Sequence, residues 1–233
     1  MSNMSQDFQQ TEGIILRAIS FRDYDQILTL FTSDAGIIKV IYKGSRSKRR
    51  GVQGLCIPLT KVELVYREKR GEIFSCQEMT LVESFSYLRK KLLHLEIACD
   101  LLQALLVSQL VGKAAPRLYA LLSFYLEKIP QISNPRTLAV SFRLKLLKHD
   151  GLVAFPFMCG ECQQFLQTVA YTQGSEGWCA NHQPNGSRVW EQQELQQLYR
   201  LAMCQNYREI CAEEVSFELQ DKVARFFEVC LNR

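Results

Sequence analysis

The sequence predicts an α+β chain in two parts, a small antiparallel β-barrel followed by a helical domain that is interrupted once. Three observations carry this. β-favouring apolar residues stand in short runs up to Val82, alternating cleanly in Lys61 to Tyr66, and the spacing turns helical past Ser84. Turn residues separate the early runs, with no helix long enough for a parallel crossover between them. Late in the helical part stand Cys159-Gly-Glu-Cys162 and Cys179-Ala-Asn-His182, two ligand pairs that no helix pattern requires.

Thr11 to Phe21 reads as a first strand and Gln26 to Thr32 as a second, with Ile27, Leu28, Leu30 and Phe31 supplying β-favouring side chains. Ser33-Asp34-Ala35-Gly36 is a turn signal, after which Ile37 to Tyr42 resumes as a strand. A long break from Lys43 to Gly54 follows. In Lys61 to Tyr66, Val62, Leu64 and Tyr66 share one face while Lys61, Glu63 and Val65 share the other. Glu68-Lys69-Arg70-Gly71 makes a hairpin turn, and Glu72 to Val82 completes a fifth strand. Among five-stranded antiparallel barrels the OB-type form is the commonest and often binds oligonucleotides; an SH3-like barrel is the competing form.

Past Ser84, Leu88, Leu92, Leu95, Cys99, Leu102 and Leu106 recur at gaps of four and three, one apolar face of a long helix that Ser86 would cap and Gly112 with Pro116 would end. Arg117 to Ile129 is a second helix, stopped at Pro130. Pro135 opens a third, running to Lys148, with Leu138, Phe142, Leu146 and Leu147 facing inward and His149-Asp150-Gly151 closing it. Glu191 to Cys204 and Ser216 to Leu231 are two more, the last with Phe217, Val223, Phe226, Phe227 and Cys230 as its core stripe. The expected domains are residues 1–83 and 84–233, with the insert at about 157–185.

The insert reads C-x2-C-x16-C-x2-H. A two-residue gap lets both side chains of a pair fold back onto one ion, and two such pairs complete the tetrahedron that zinc takes in closed sites. Cys159, Cys162, Cys179 and His182 are therefore the expected ligands of one zinc ion. All four positions come from protein, so the reading is structural rather than catalytic zinc. Phe155, Phe157 and Trp178 flank the pairs and are expected to pack this lobe onto the helices.

Net charge is only +4, so the distribution of charge decides. Between Lys39 and Lys61 stand seven basic residues and no acid: Lys39, Lys43, Arg46, Lys48, Arg49, Arg50 and Lys61. Glycines and serines interleave with them. A charged loop is by itself most often solvated surface; on a barrel of a strand-binding type it reads as a nucleic-acid contact. Phe21, Tyr24, Phe31, Tyr42, Tyr66 and Phe74 interleave with this region. Phe31 and Phe74 are expected in the core, and Tyr42, beside Lys43, is the expected base-stacking residue. Asp23 and Asp25 read as turn residues, not a catalytic dyad.

Met1 to Gln10 is polar, and no apolar run reaches the roughly 18 residues of a membrane span, so the expected location is the cytoplasm with no membrane partner. There Cys56, Cys76, Cys99, Cys204, Cys211 and Cys230 are expected reduced and mostly buried. No phosphate loop, nucleophile elbow or H-E-x-x-H occurs, and the H-x-E of zinc deaminases fails at His149-Asp150-Gly151. The reading is a protein that is not an enzyme. The residues alone leave open a DNA-binding repair mediator, an RNA-binding or transcription-associated module, and a protein scaffold.

The order of segments narrows this. Glu12-Gly13-Ile14-Ile15-Leu16, then Asp25-Gln26-Ile27-Leu28-Thr29-Leu30-Phe31-Thr32, Gly36 and Lys43-Gly44-Ser45-Arg46 resemble the N-terminal OB domain of the bacterial recombination mediator family RecO. Phe142-Arg143-Leu144-Lys145-Leu146-Leu147, Gly151 and Cys159-Gly160-Glu161-Cys162 resemble that family's third-helix-to-zinc segment. The resemblance covers nearly the whole chain. It implies binding of single- and double-stranded DNA, annealing of complementary strands, and a complex with RecR that helps load RecA onto DNA coated by the single-strand-binding protein SSB. It also implies a contact between the SSB C-terminal tail and the helical domain. Arg136, Arg143 and Lys145 are candidates for that contact, because an acidic tail needs a cation near an apolar groove. The chain departs from the family pattern at Leu55-Cys56-Ile57-Pro58-Leu59, where a Leu-rich run closing on Pro-Phe is usual, and at His182, where many members have Cys.

Overall fold

The structure, a computed structural model, describes residues 8–45, 55–68 and 71–232. It divides into two compact units, Met1–Pro130 and Gln131–Arg233. In the first, strands β1 (Phe8–Phe21), β2 (Asp25–Thr32), β3 (Gly36–Tyr42), β4 (Lys61–Arg67) and β5 (Ile73–Glu83) close into a barrel in the order β1-β2-β3-β5-β4. β1 pairs antiparallel with both β2 and β4, and β5 joins β3 in parallel. β1 serves both partners, β4 over Phe8–Ile14 and β2 over Gly13–Phe21, and it bulges between Ile15 and Arg17. Beyond the Ile14–Lys61 pair, Ile15 bonds the segment before β4, through Ile15 N to Thr60 O at 2.9 Å and Leu59 N to Ile15 O at 3.0 Å.

Alternation places the core as expected. Ile15, Leu28, Leu30, Ile38, Val40, Val62, Leu64 and Tyr66 are buried together in the barrel interior, with Cys56, Cys76 and Met79. Burial pushes the Cys56 thiol up to about 11, which keeps it neutral. Of the other cysteines outside the two ligand pairs, Cys76 and Cys230 are also buried, whereas Cys99 is exposed and Cys204 and Cys211 are half-buried.

Two helices, α1 (Leu92–Ser108) and α2 (Pro116–Lys128), belong to the same compact unit as the barrel. Tyr119 on α2 donates to Glu12 Oε1 at 2.8 Å, and Lys61 Nζ lies 3.1 Å from the same oxygen and 3.3 Å from Ser123 Oγ. Burial, reinforced by Glu12, raises the Tyr119 hydroxyl, so it stays a donor. The chain after α1 runs against β3, with Gly112 N donating to Ile37 O at 2.8 Å. There Gly36 has no substitute: its φ is +66°, and a Cβ would stand 1.9 Å from the Lys113 carbonyl oxygen.

The expected face of the first helix is corrected. Residues Ser86–Lys90 form a separate 3₁₀ turn, Lys91 is extended, and Ser86 therefore does not cap α1. This break shifts the phase of the helix. Ile97, Ala98, Leu101, Leu102, Ala104 and Leu105 are buried, while Leu92 is 72% exposed and Cys99 is exposed.

The second unit is built on α3 (Arg136–His149), whose Leu138, Phe142, Leu146 and Leu147 are fully buried. Six consecutive buried residues, Thr137 to Phe142, mark it as the central helix of its unit, covered on nearly every side. Around it pack α4 (Gln192–Met203), α5 (Tyr207–Ala212) and α6 (Phe217–Leu231). A capping box of Glu191 and Glu194 starts α4, and Ser216 caps α6 through Leu219 N at 3.1 Å. Val223, Phe226, Phe227 and Cys230 are buried as expected, but Phe217, at the first turn, is 66% exposed. Between α3 and α4 lies a three-stranded sheet, β7-β6-β8, of Ala170–Gln173 (β6), Glu176–Trp178 (β7) and Arg188–Trp190 (β8). Strands this short carry no readable period, and neither they nor α5 is legible in the sequence. Among the described residues no helix is long and apolar enough to cross a membrane.

Candidate metal centre and nucleic-acid interface

The two ligand pairs converge. One ligand atom each from Cys159, Cys162, Cys179 and His182 lies within 4.8 Å of all the others. Cys159 Sγ is 3.6 Å and Cys179 Sγ 3.3 Å from His182 Nδ1, and the Cys162 and Cys179 sulfurs are 4.0 Å apart. Bond lengths of about 2.3 Å to sulfur and about 2.0 Å to nitrogen put the corners of a tetrahedron about 3.5–3.8 Å apart, so the spacing fits a four-coordinate ion. This Cys3His cluster could hold a metal ion.

Local backbone builds the cluster. Gln163 N donates to Cys159 O at 2.9 Å and His182 N to Cys179 O at 3.1 Å, so each pair sits on one tight turn. Gly160 N bonds Gly177 O at 2.9 Å, joining the first turn to β7. Neither glycine has room for a side chain: a Cβ on Gly160 would stand 3.0 Å from the Trp178 ring, and one on Gly177 2.9 Å from Phe157 Cβ. Trp178 thus covers the first turn. The helix contacts come from Phe157, whose ring meets Phe226 at 6.1 Å, and from Trp190, which meets Phe226 edge-on at 5.4 Å. Tyr199 of α4 completes the joint. Its hydroxyl accepts from Phe157 N at 3.0 Å and donates to Leu166 O at 2.8 Å. Trp190 and Tyr199 escape sequence reading because their partners lie 18 to 42 residues away.

Electrostatics prepare the cluster for a cation. Burial opposes ionisation of Cys159, but the N–H groups of Cys162, Cys179 and Glu161 and the His182 side chain outweigh it, pulling the thiol down to about 6. Cys162 is raised: the Gln164 N–H favours its thiolate, but desolvation and the Cys159 and Cys179 sulfurs outweigh that. The metal-free protein therefore holds Cys159 as thiolate at neutral pH and must lose a proton there only once pH drops below about 6. Since bound protons must leave before a metal enters, the slope of log affinity against pH is expected to steepen by about one below that point. Chelator competition at several pH values from 5 to 6 and from 7 to 8 measures it; equal slopes in the two ranges would show that Cys159 is not the pre-ionised ligand.

In the barrel, Lys39 is half-exposed on β3 with its Nζ 3.5 Å from Glu72, and Lys43 is exposed just after β3. Arg46, Lys48, Arg49 and Arg50 lie outside the described residues. The start of their loop is held down: Gly44 N donates to Asp25 Oδ1 at 2.9 Å, and Ser45 Oγ lies 3.5 Å from the Tyr24 carbonyl oxygen. The aromatic residues sort differently from expectation. Phe31 is core and Phe74 is half-buried, stacked on Tyr66 at 5.6 Å. Tyr42 is only 4% exposed and points into the barrel with Ile38 and Val40, so strand alternation removes it as a stacking residue.

On α3, Arg136 stands over the Phe217 ring at 5.9 Å and Arg143 over the Phe227 ring at 6.0 Å, both toward α6. Lys145 points elsewhere and donates to Cys204 O at 2.5 Å; burial lowers its ammonium. The three cations do not converge.

A family model described as Recombination protein O N terminal matches residues 4–85, and one described as Recombination protein O C terminal matches residues 89–233. The chain belongs to the RecO family. It is similar to the DNA repair protein RecO of Chlamydia pneumoniae, 24% identical over 217 residues that cover 93% of this chain and 86% of the relative. Similarity to the DNA repair protein RecO of Anaeromyxobacter dehalogenans strain 2CP-1 is 30% identity over 160 residues, 67% of this chain and 62% of the relative. The C-terminal RecO match takes in α1 and α2, which compaction groups with the barrel, so sequence family and packing divide the chain at different points.

Proposed function

We propose that this chain is a DNA-binding mediator of recombinational repair. It binds single- and double-stranded DNA, anneals complementary strands and, with RecR, helps load RecA onto SSB-coated single strands. The observation that supports this most directly is the match of both RecO segments, in order, to a chain whose N-terminal part closes into a five-stranded barrel with a basic loop. Residues 1–83 act as the nucleic-acid-binding domain, through Lys39, Lys43, Arg46, Lys48, Arg49 and Arg50. Phosphate contacts of this kind carry affinity without sequence choice, which suits annealing of any complementary pair.

The chemistry of the residues supports the remaining assignments. Cys159, Cys162, Cys179 and His182 hold one structural zinc, since thiolate and imidazole at tetrahedral spacing suit that ion and leave no open position. The SSB C-terminal tail meets the helical domain at Arg136 and Arg143, beside the exposed Phe217 ring, while Lys145 is occupied by the Cys204 carbonyl. The protein works in the cytoplasm, without catalysis of its own. The test is annealing of two complementary oligonucleotides, one precoated with SSB, followed by fluorescence quenching. Acceleration over the spontaneous rate is expected, as is weaker competition by RNA of equal length. No acceleration at low salt would overturn the reading.

A further inference from the structure

Helix α1 turns an apolar residue outward near each of its ends. At about 100° per residue, Leu92, Glu96, Cys99, Gln103 and Val107 fall within about 80° of one another. All five are exposed, Leu92 by 72% and Val107 by 52%. Leu95 and Leu106 flank them half-buried, while the opposite face, with Ile97, Ala98, Leu101 and Leu105, is buried. A surface helix ordinarily presents charged and polar residues on the side away from its core, so this face differs from a solvated one.

We propose that α1 is a self-association surface on which two copies of this chain pair antiparallel. The face is complementary to itself. Leu92 and Val107 stand equally far from the midpoint between Cys99 and Asp100, and so do Glu96 and Gln103. Two copies laid antiparallel about that midpoint set Leu92 on Val107 of the other copy and Glu96 on Gln103, with both Cys99 side chains beside the axis. Each contact then occurs twice, as a twofold requires. Charge selects the same arrangement. α1 has no acid in its first turn and no base in its last, and exposed Lys90 and Lys91 stand just before its N-terminus. There they oppose the dipole of their own helix. In the antiparallel pair they lie at the C-terminal carbonyl end of the other copy's helix, where cations are favourable. One helix face is smaller than the about 800 Å² per partner of a stable interface, so the dimer is weak and forms with rising concentration.

Sedimentation of the full chain over a concentration series, without DNA, reads the association. Wild type is expected to pass from monomer to dimer. Leu92→Glu is expected to raise the dissociation constant more than about 100-fold, because symmetry removes that contact twice. Gln103→Glu sets like charges opposite each other and weakens the pair, and adding Glu96→Lys restores it. Glu96 and Gln103 are two turns, about 10 Å, apart along one helix, so the rescue has to come from the other copy. A parallel pair would set each position on itself and give no rescue. A short bis-maleimide is expected to join Cys99 to Cys99 in the wild-type dimer, as read by peptide mapping. A wild type that stays monomeric up to about 0.3 mM would overturn the proposal. So would a dimer that Leu92→Glu leaves intact, or one whose crosslinks join other cysteines and spare Cys99, since its interface would then lie elsewhere. A double variant no stronger than Gln103→Glu alone would overturn the antiparallel pairing.

Discussion

Replacing Cys159 by serine is expected to abolish retention of about one zinc per chain and to unfold the lobe between α3 and α4 while leaving the barrel folded. In metal-binding finger peptides such a site contributes about 10–16 kcal/mol of apparent binding energy, and a lobe with so small a core has little to replace it. Here the strands are four, three and three residues long, too short to stand alone. Cys159 is fully buried, and its backbone is bonded to Gln164 and Gln163, so losing its thiolate loosens the first turn directly. The two tryptophans, Trp178 and Trp190, both lie in this lobe, which makes intrinsic fluorescence a local reporter. Metal analysis, fluorescence and hydrogen exchange together check the expectation. Amides of Cys159, Gly160 and Leu166 should lose protection, and those of β1 to β5 should keep it. Unchanged fluorescence and protection after metal removal would show that the aromatic joint at Phe157, Trp190 and Tyr199 suffices without the ion.

Reversing Lys48, Arg49 and Arg50 to glutamate is expected to abolish strand annealing, and replacing them by alanine to flatten its salt dependence. From Lys43 to Arg50 the loop carries five cations. If each meets a phosphate, log affinity for a single strand falls with log salt at a slope of about −3.5, so binding weakens about 100-fold between 50 and 200 mM salt. With three alanines the slope becomes about −1.4 and the same change costs about 7-fold. The barrel core at Ile15, Leu28, Leu30, Val62 and Leu64 is untouched by these substitutions, so the variants should unfold at the wild-type midpoint in denaturant. A folded triple-glutamate variant that still anneals would remove the loop from the mechanism and return attention to Lys39 and the helical domain.

Both expectations rest on features that differ in how far sequence carried them. The Cys3His cluster was legible because each of its pairs is local: a turn that bonds residue i to i+3, as Cys179 O and His182 N do, brings its side chains together whatever the rest of the chain does. Strand alternation was legible for the same reason, and Val62, Leu64 and Tyr66 are all buried where period two placed them. The helix face past Ser84 was not. Its spacing of four and three is real, but one extended residue, Lys91, breaks the run and rotates the helix, so Leu92 ends in solvent. Apolar spacing states that a face exists; it does not state the phase after a break.

By itself, then, the sequence determined the order and type of the main elements, the four residues of the Cys3His cluster, the concentration of positive charge after β3, and the family. Each is a property of neighbours along the chain. Tertiary structure alone decided that α1 and α2 pack into one unit with the barrel and that Gly36 must be glycine because Lys113 returns to it. It also decided that Trp178 covers the metal turn while Trp190 holds the helix, that Lys145 is spent on a carbonyl, and that Tyr24 rather than Tyr42 faces outward. The physical reason is common to all of these. What a side chain does depends on which distant surface covers it, and that surface is assembled only when strands and helices far apart in sequence meet.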